Sequence, residues 1–372
     1  MSSDEIYGWV KDLPIVDWHN HLDLKAIAED RPFGSLYEVW VMPDPYKHRA
    51  MRICGVPERL ITGDAPDAEK MAAWEATLPK LVGNPLFAWS RMELAFLNEE
   101  LRMKNEELSI GNLQNVSLDA LTPKMVLKAF NVEYYDPGFR MNAGDAFDVS
   151  AAEAVHARGG RILDISIDDI SLYDILQNVV EPATFAKAHG WTMLLHMGAL
   201  RSTSDRLRQV AGPAGGYAGM RAPVDPARVA ELLNGLEREG ILPRTILLSL
   251  NPEAHAQLAV LAGSFAEDGV PGKVQLGPAW WWCDHREGIF DVLEKNAAYG
   301  VLSTFVGMTT DSRSFLSFVR HDYFRRLLAR WMAQKVADGD FPDDETLLRP
   351  LAENICYRNA AALVSSIRRP RT

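Results

Sequence analysis

The sequence predicts an α/β fold: a TIM-like (β/α)8 barrel, distorted or missing one unit, with a helical insertion after its first strand. Three observations predict it. From Asn131 onward, short apolar runs alternate with helical segments, the pattern of a parallel sheet. The first apolar run of the chain ends in His19-Asn20-His21, and the last ends in Asp311. First and last strands are neighbours in a closed barrel, so these three side chains would meet at its C-terminal mouth. A chain of 372 residues fits one such barrel as well as it fits two average domains. A single domain over residues 1–372 is expected, with the insertion at about 24–125.

Pro14 to His21 reads as the first strand. Period-2 geometry puts His19 and His21 on one face, where two imidazoles form a natural pair of divalent-metal ligands. Two satisfied histidines at a polar strand end would look the same. Residues 24 to 125 are polar and helical in texture. Met71, Trp74 and Leu78 share one helical face. Pro45 suits a first helical turn. Tyr46, Arg49 and Arg52 follow it at a spacing of three, on one face that reads as solvated and basic. Asn105 to Asn112 is loop-like.

Further strands are expected at Val132–Tyr135, Arg161–Ile167, Trp191–His196, Thr245–Leu250 and Lys273–Gly277. The run Gly300 to Val306 reads as a buried strand leading to Asp311. Asp311 and Arg313 would then point the same way, a carboxylate beside an anion clamp, or else a plain surface ion pair. Helices are expected over Asp225–Glu239 and Glu287–Tyr299. The basic tail, Arg368 to Thr372, reads as a frayed end.

The net charge of −11 argues against general nucleic-acid binding. No apolar run reaches membrane-spanning length. Three cysteines without CxxC spacing suggest a reducing compartment, and the start shows no signal peptide, so a cytoplasmic location is expected. Strand-end polar residues complete the site list: His196 with Arg201, Asn251, Gln275, Trp280-Trp281-Trp282 with Asp284, and Arg320-His321.

These blocks resemble the uronate isomerases of the amidohydrolase superfamily. The resemblance rests on Asp17-Trp18-His19-Asn20-His21-Leu22-Asp23, Tyr46 through Arg52, Ile61 through Ala65 and Gly83 through Leu86. It continues in Leu195 through Arg201, Gly272 through Gly277 and Phe305 through Arg326. It implies a (β/α)8 barrel and aldose–ketose isomerisation of a hexuronate, of the glucuronate-to-fructuronate type. It also implies one divalent ion, commonly zinc, among His19, His21 and Asp311 with His196 nearby, and it leaves a catalytic need for that ion as a separate question. Tyr46 and Arg313 would then be active-site groups. The chain departs from the family in its middle. Family members are usually longer, and Phe139-Arg140-Met141-Asn142 follows Tyr135-Asp136-Pro137 almost at once. A parallel crossover needs a dozen or more residues. A helix is therefore missing, and the strand that belongs to it is distorted or absent. An Asp-His pair usual on the next strand is Asp164-Ile165 here.

The chemistry expected is proton transfer through an enediolate, with Asp311 as base, Tyr46 as relay, and Arg313 or a metal as oxyanion partner. Arg140, Arg201 or Arg320 would hold the substrate carboxylate, with His196 and Trp280 lining the same mouth. The alternatives are metal-assisted hydrolysis or decarboxylation of a small carboxylate, and a sugar-acid-binding relative without catalysis. A small anionic sugar acid is the expected partner in every case. A homo-oligomer is expected to cover apolar surface exposed by the shortened middle.

Overall fold

The computed structural model describes residues 1–101, 113, 118, 121–168 and 172–365. The expected loop at Asn105–Asn112 and the basic tail lie outside these residues. The fold is mixed α/β with a central parallel sheet.

The strands, in chain order, are β1 (Ile15–Asp17), β2 (Val132–Tyr135), β3 (Phe139–Asn142), β4 (Ile162–Ser166) and β5 (Thr192–Met197), then β6 (Ala199–Leu200), β7 (Gly219–Met220), β8 (Arg244–Ser249) and β9 (Val274–Leu276). β1 pairs with β2, and β3-β4-β5-β8-β9 form a five-stranded parallel sheet. β6 and β7 make a small antiparallel ladder of their own. Leu194, Leu195, Ile246 and Leu247 are fully buried, as expected for central strands covered on both faces.

Between β1 and β2 the described chain is helical, with Leu24–Glu29, Leu36–Trp40, Pro45–Ile53, Asp67–Thr77, Pro85–Leu101 and Pro123–Ala129. Met71, Trp74 and Leu78 are all buried in the core of this insertion, as their spacing predicts. Pro45 takes the first turn of its helix, and Asp44 caps it by accepting from Tyr46 N at 2.9 Å.

Two expectations are corrected. The run leading to Asp311 is not a laddered strand. A short 3-10 turn, Leu302–Thr304, comes first, and Phe305 to Asp311 then follows without strand pairing. Its polar backbone is satisfied otherwise: Gln275 Oε1 accepts from Val306 N at 3.1 Å, and His19 O accepts from Asp311 N at 3.2 Å. Among the described residues the parallel ladders form two separate sheets, β1-β2 and β3-β4-β5-β8-β9.

The second correction concerns the shortened middle. Phe139–Asn142 is a real strand, paired with β4 from Phe139↔Leu163 to Asn142↔Ser166. Only Asp136, Pro137 and Gly138 join it to β2, too few residues to cross over to a neighbouring parallel position. β2 and β3 are thus successive parts of one bent path. The first part pairs with β1 and the second with β4. Asp136 makes the bend by accepting from Gly138 N and Arg161 N, both at 2.7 Å. Gly138 sits at φ +66 against Ile162 of β4, a conformation and a closeness that favour glycine. The crossover helix is missing, as the sequence indicates, and one bent strand serves two ladders.

Candidate active site

The strand ends and the insertion converge on a cavity of about 690 Å³. It is lined by His19 and His21 just past β1, Arg140 of β3, Asp164 of β4 and His196 of β5. Trp280, Trp281, Asp311 and Arg313 line it from the later loops, Tyr46 from the insertion, and Arg201 and Arg208 from the segment after β5.

Asp311 is the centre of the polar contacts. Its Oδ1 lies 2.8 Å from His21 Nε2 and 3.2 Å from His19 Nε2, and its Oδ2 accepts from Trp280 Nε1 at 2.7 Å. Burial works against its charge, and the two imidazoles outweigh burial, holding the carboxyl well below the usual carboxylate range. Its backbone is left-handed, φ 47, a region Asp enters more readily than most residues. That conformation breaks the alternation expected of an extended chain, yet Asp311 and Arg313 both reach the cavity.

A second carboxylate was not singled out from the sequence. Asp164 is buried, accepts from His196 Nδ1 at 2.6 Å, and lies 3.3 Å from Arg140 Nε and 3.9 Å from His19 Nε2. Burial would raise its pKa, and His196, His19 and Arg140 together lower it instead. The signal was an acidic residue inside the otherwise apolar run Ile162–Ile165.

The three imidazoles cluster, with ring centroids 5.2 Å apart for both His19–His21 and His19–His196. Burial pushes His21 down to about 4. For His19 burial acts the same way, but Asp311 and Asp164 overcome it and raise the pKa. His19 Nδ1, His21 Nδ1 and His196 Nε2 are buried without a hydrogen-bond partner. Buried nitrogens left this way are costly unless something binds them. Ligand atoms of His19, His21 and Asp311 lie within 4.8 Å of one another, as do those of His19, Asp164 and His196. This nitrogen and oxygen donor set fits a divalent metal. Asp164 on His196 Nδ1 also fixes that ring, as outer carboxylates do for metal-binding imidazoles.

Tyr46 presents a buried hydroxyl without a partner. Its ring packs edge-on against Trp282 at 5.4 Å and Trp89 at 6.2 Å. Burial raises its pKa well above 10. Arg313 is partly buried, and burial lowers its pKa. Arg201 donates to Asp168 Oδ2 at 2.9 Å and to Ser166 Oγ at 2.7 Å.

Arg320 is placed differently from the other predicted arginines. It is not among the cavity-lining residues. It is buried, it donates to Asp284, and its guanidinium lies 4.5 Å from the Trp89 ring and 5.8 Å from that of Tyr46. It supports the wall behind Tyr46. Asn251 stands at the start of the helix Pro252–Ala262 without a side-chain capping bond, and its Nδ2 donates to Arg221 O at 2.8 Å.

The chain is similar to known proteins along most of its length. The glucuronate isomerase family matches residues 2–135 and 148–364, and the break falls on the bent-strand region. The uronate isomerase of Caldicellulosiruptor bescii is 36% identical over 437 residues, covering 95% of this chain and 94% of its own. That of Bacillus licheniformis is 35% identical over 441 residues, covering 95% and 93%. Both aligned spans exceed the 372 residues of this chain, so the relatives carry segments that it lacks. Two crystal structures share the fold. The uronate isomerase of Thermotoga maritima matches with a TM-score of 0.79 at 24% identity, covering 97% of each chain. The glucuronate isomerase of Caulobacter crescentus matches at 0.80 and 20%, covering 99% of this chain and 94% of the other. With its family match on both sides of the shortened middle and its curated relatives aligned nearly end to end, the chain belongs to the glucuronate isomerase family.

Proposed function

We propose that the chain interconverts an aldose and a ketose form of a hexuronate, of the glucuronate-to-fructuronate type, with Asp311 as the base. The observation that carries this reading is one ionised carboxylate facing a cavity shared with a guanidinium, Arg313, and an unpartnered phenol, Tyr46. Asp311 takes the proton from C2, exchanges it with solvent and delivers a proton to C1. Tyr46, kept protonated by burial, moves a proton between the oxygens, so that O2 loses one and O1 gains one. Arg313 faces the negative charge that develops on the enediolate oxygens. Arg140 and Arg201 hold the substrate carboxylate through paired N–H donors. His196 and Trp280 shape the wall beside it, and Arg320 acts from behind Tyr46.

His19, His21 and Asp311 would hold one divalent ion, for which zinc suits the donors, with His196 and Asp164 beside them. Such an ion supplies positive charge to sugar oxygens. No helix among the described residues is long and apolar enough to cross a membrane, in keeping with an enzyme of the cytoplasm. We place the strands in one domain that follows the course of a distorted barrel. Exposed apolar side chains such as Ile53 and Val301 offer surface for a homo-oligomer, which light scattering would register.

Hydrolysis is the weaker reading, because no described residue lining the cavity is a lysine that could bridge a metal pair. The test is a panel of hexuronates, aldonates and lactones followed by NMR in deuterium oxide. A ketose product carrying deuterium at C1 is expected. Lactone opening with no ketose from any hexuronate would overturn the proposal.

A further inference from the structure

Between β5 and β8 the chain leaves the sheet, runs from Gly198 to Arg221 and returns. The excursion is closed at its base by the β6–β7 ladder and by Arg221 N donating to Gly198 O at 2.9 Å. Inside it, Thr203 Oγ1 donates to Tyr217 O, and Tyr217 OH donates to Gly212 O at 2.8 Å. Arg208, Ala214, Gly216 and Tyr217 line the cavity, so this flap forms one of its walls.

The tip of the flap rests on the helix that carries Tyr46. Arg52 Nη1 donates to Gly215 O, and Arg49 Nη1 donates to Ala218 O at 3.2 Å. Gly216 has φ +85, and a Cβ there would run into the Pro45 carbonyl oxygen, so the two backbones meet where only glycine fits. Arg49 also lies 4.8 Å from the Trp282 ring, the ring that packs edge-on against Tyr46. The face that the spacing of Tyr46, Arg49 and Arg52 marked as solvated is in fact covered.

We propose that Arg49 and Arg52 are positioning residues that latch the Gly198–Arg221 flap onto the Tyr46 helix, closing one wall of the cavity and fixing the Tyr46 phenol towards the substrate. The chemistry of arginine suits the task. Arg52 pairs with Glu58 through Nε and Nη2, both at 2.7 Å, and still has Nη1 for the flap. A lysine has a single nitrogen and cannot reproduce that fork. The tyrosine hydroxyl has no partner of its own, so its direction depends on Trp282, Trp89 and whatever holds them. A wall shared by an insertion helix and a loop from the sheet is where closure would exclude water from the reacting carbons.

The kinetic part of this inference rests on the isomerase reading; the structural part does not. The test uses the full chain with Arg52→Gln, Arg52→Lys, Gly216→Ala and, as control, Glu58→Gln. Hydrogen exchange at the 212–218 amides reads the latch without any activity. Arg52→Gln, Arg52→Lys and Gly216→Ala should each speed that exchange. Each should also raise KM for the hexuronate by about tenfold, the scale of one hydrogen bond to a charged group. Glu58→Gln keeps the Nη1 donor and should leave exchange and KM near wild type. Arg52→Gln combined with Gly216→Ala should do little more than either alone, since both open the same contact. Unchanged exchange in Arg52→Gln and Gly216→Ala would overturn the latch. Faster exchange with KM and kcat both unchanged would overturn the positioning role. If the unaltered chain turned over no hexuronate, the isomerase reading would fail while the exchange result still judged the latch.

Discussion

Two junctions border the same cavity and are built on opposite plans. Where β1 meets the segment from Thr309 to Arg313, everything converges on Asp17, which is wholly buried. It accepts from Thr309 Oγ1 at 3.0 Å, Thr310 N and Oγ1 at 2.7 Å, Asn20 Nδ2 at 3.1 Å and His321 Nε2 at 3.1 Å. Where the bent strand meets β4, Arg140, Asn142 and Asp145 are exposed and face a cavity open to them. The first junction fixes Asp311 and its imidazoles with little freedom. The second leaves room where the substrate's far end would be read. Rigid chemistry beside an adaptable mouth is the division expected when catalysis needs tight placement and recognition varies by loop.

The comparison breaks most visibly at Asp17. Asp17→Ala would leave five donors facing a void, and about 3–5 kcal/mol of stability should go with it, as when a buried charged pair loses one member. Thermal unfolding measures this; a melting point unmoved within about 2 °C would mean that the junction is not the rigid one. Next comes Asp311→Asn, which keeps shape, tolerates the left-handed backbone and removes the base. Turnover should fall by at least ~10² with the fold retained, on the scale of general-base removal. Near wild-type turnover in that variant would reduce Asp311 to a structural or ligand role. Arg313→Lys should cost less, about tenfold, because a point charge replaces a planar fork; steady-state kinetics decides.

The insertion sharpens the contrast through pH. His48 lies buried in the Tyr46 helix, and burial lowers its pKa to about 4. An unfolded chain would bind the proton near the ordinary 6.5, so the neutral ring contributes stability fully above about 6.5. That contribution drains as the pH falls towards 4. His48→Gln should flatten this part of the melting-point profile between pH 6.5 and 4. An equally steep profile in the variant would assign the slope to other groups. Smallest of all is Arg140→Gln at the open junction. KM should rise within about tenfold and stability should fall by no more than about 1 kcal/mol, the scale of a part-exposed ion pair such as Arg140–Asp164.

Much of this was legible because local geometry wrote it. His19 and His21 are expected on one face of a strand; the strand ends at Asp17 and they stand in the loop beyond it, yet both do line the cavity. Alternating apolar runs and helices gave β4, β5, β8 and β9 to within a residue or two. What escaped depends on partners far away in sequence. The run before Asp311 is apolar and extended, but its hydrogen bonds go to a Gln275 side chain and to His19, and no periodicity reveals that. Asp164 gains its role only from His196 and Arg140 on the adjacent strands. Arg320 follows Asp311 closely, yet Asp284 and two aromatic rings hold it behind the wall. Arg49 and Arg52 looked solvated because the flap that covers them is some 160 residues further on.

The pairing of the β1 end with Thr309 also governs when the site can exist. His19 N and Thr309 Oγ1 are 290 residues apart in sequence. A chain growing from its N-terminus displays its paired histidines some 290 residues before their carboxylate arrives. Contacts of such long separation pay their loop-closure cost late and slow the final step of folding. The helices of the insertion, made largely of local contacts, are free to form long before. The contact that brings Asp311 to His19 and His21 is therefore expected to close after those local helices.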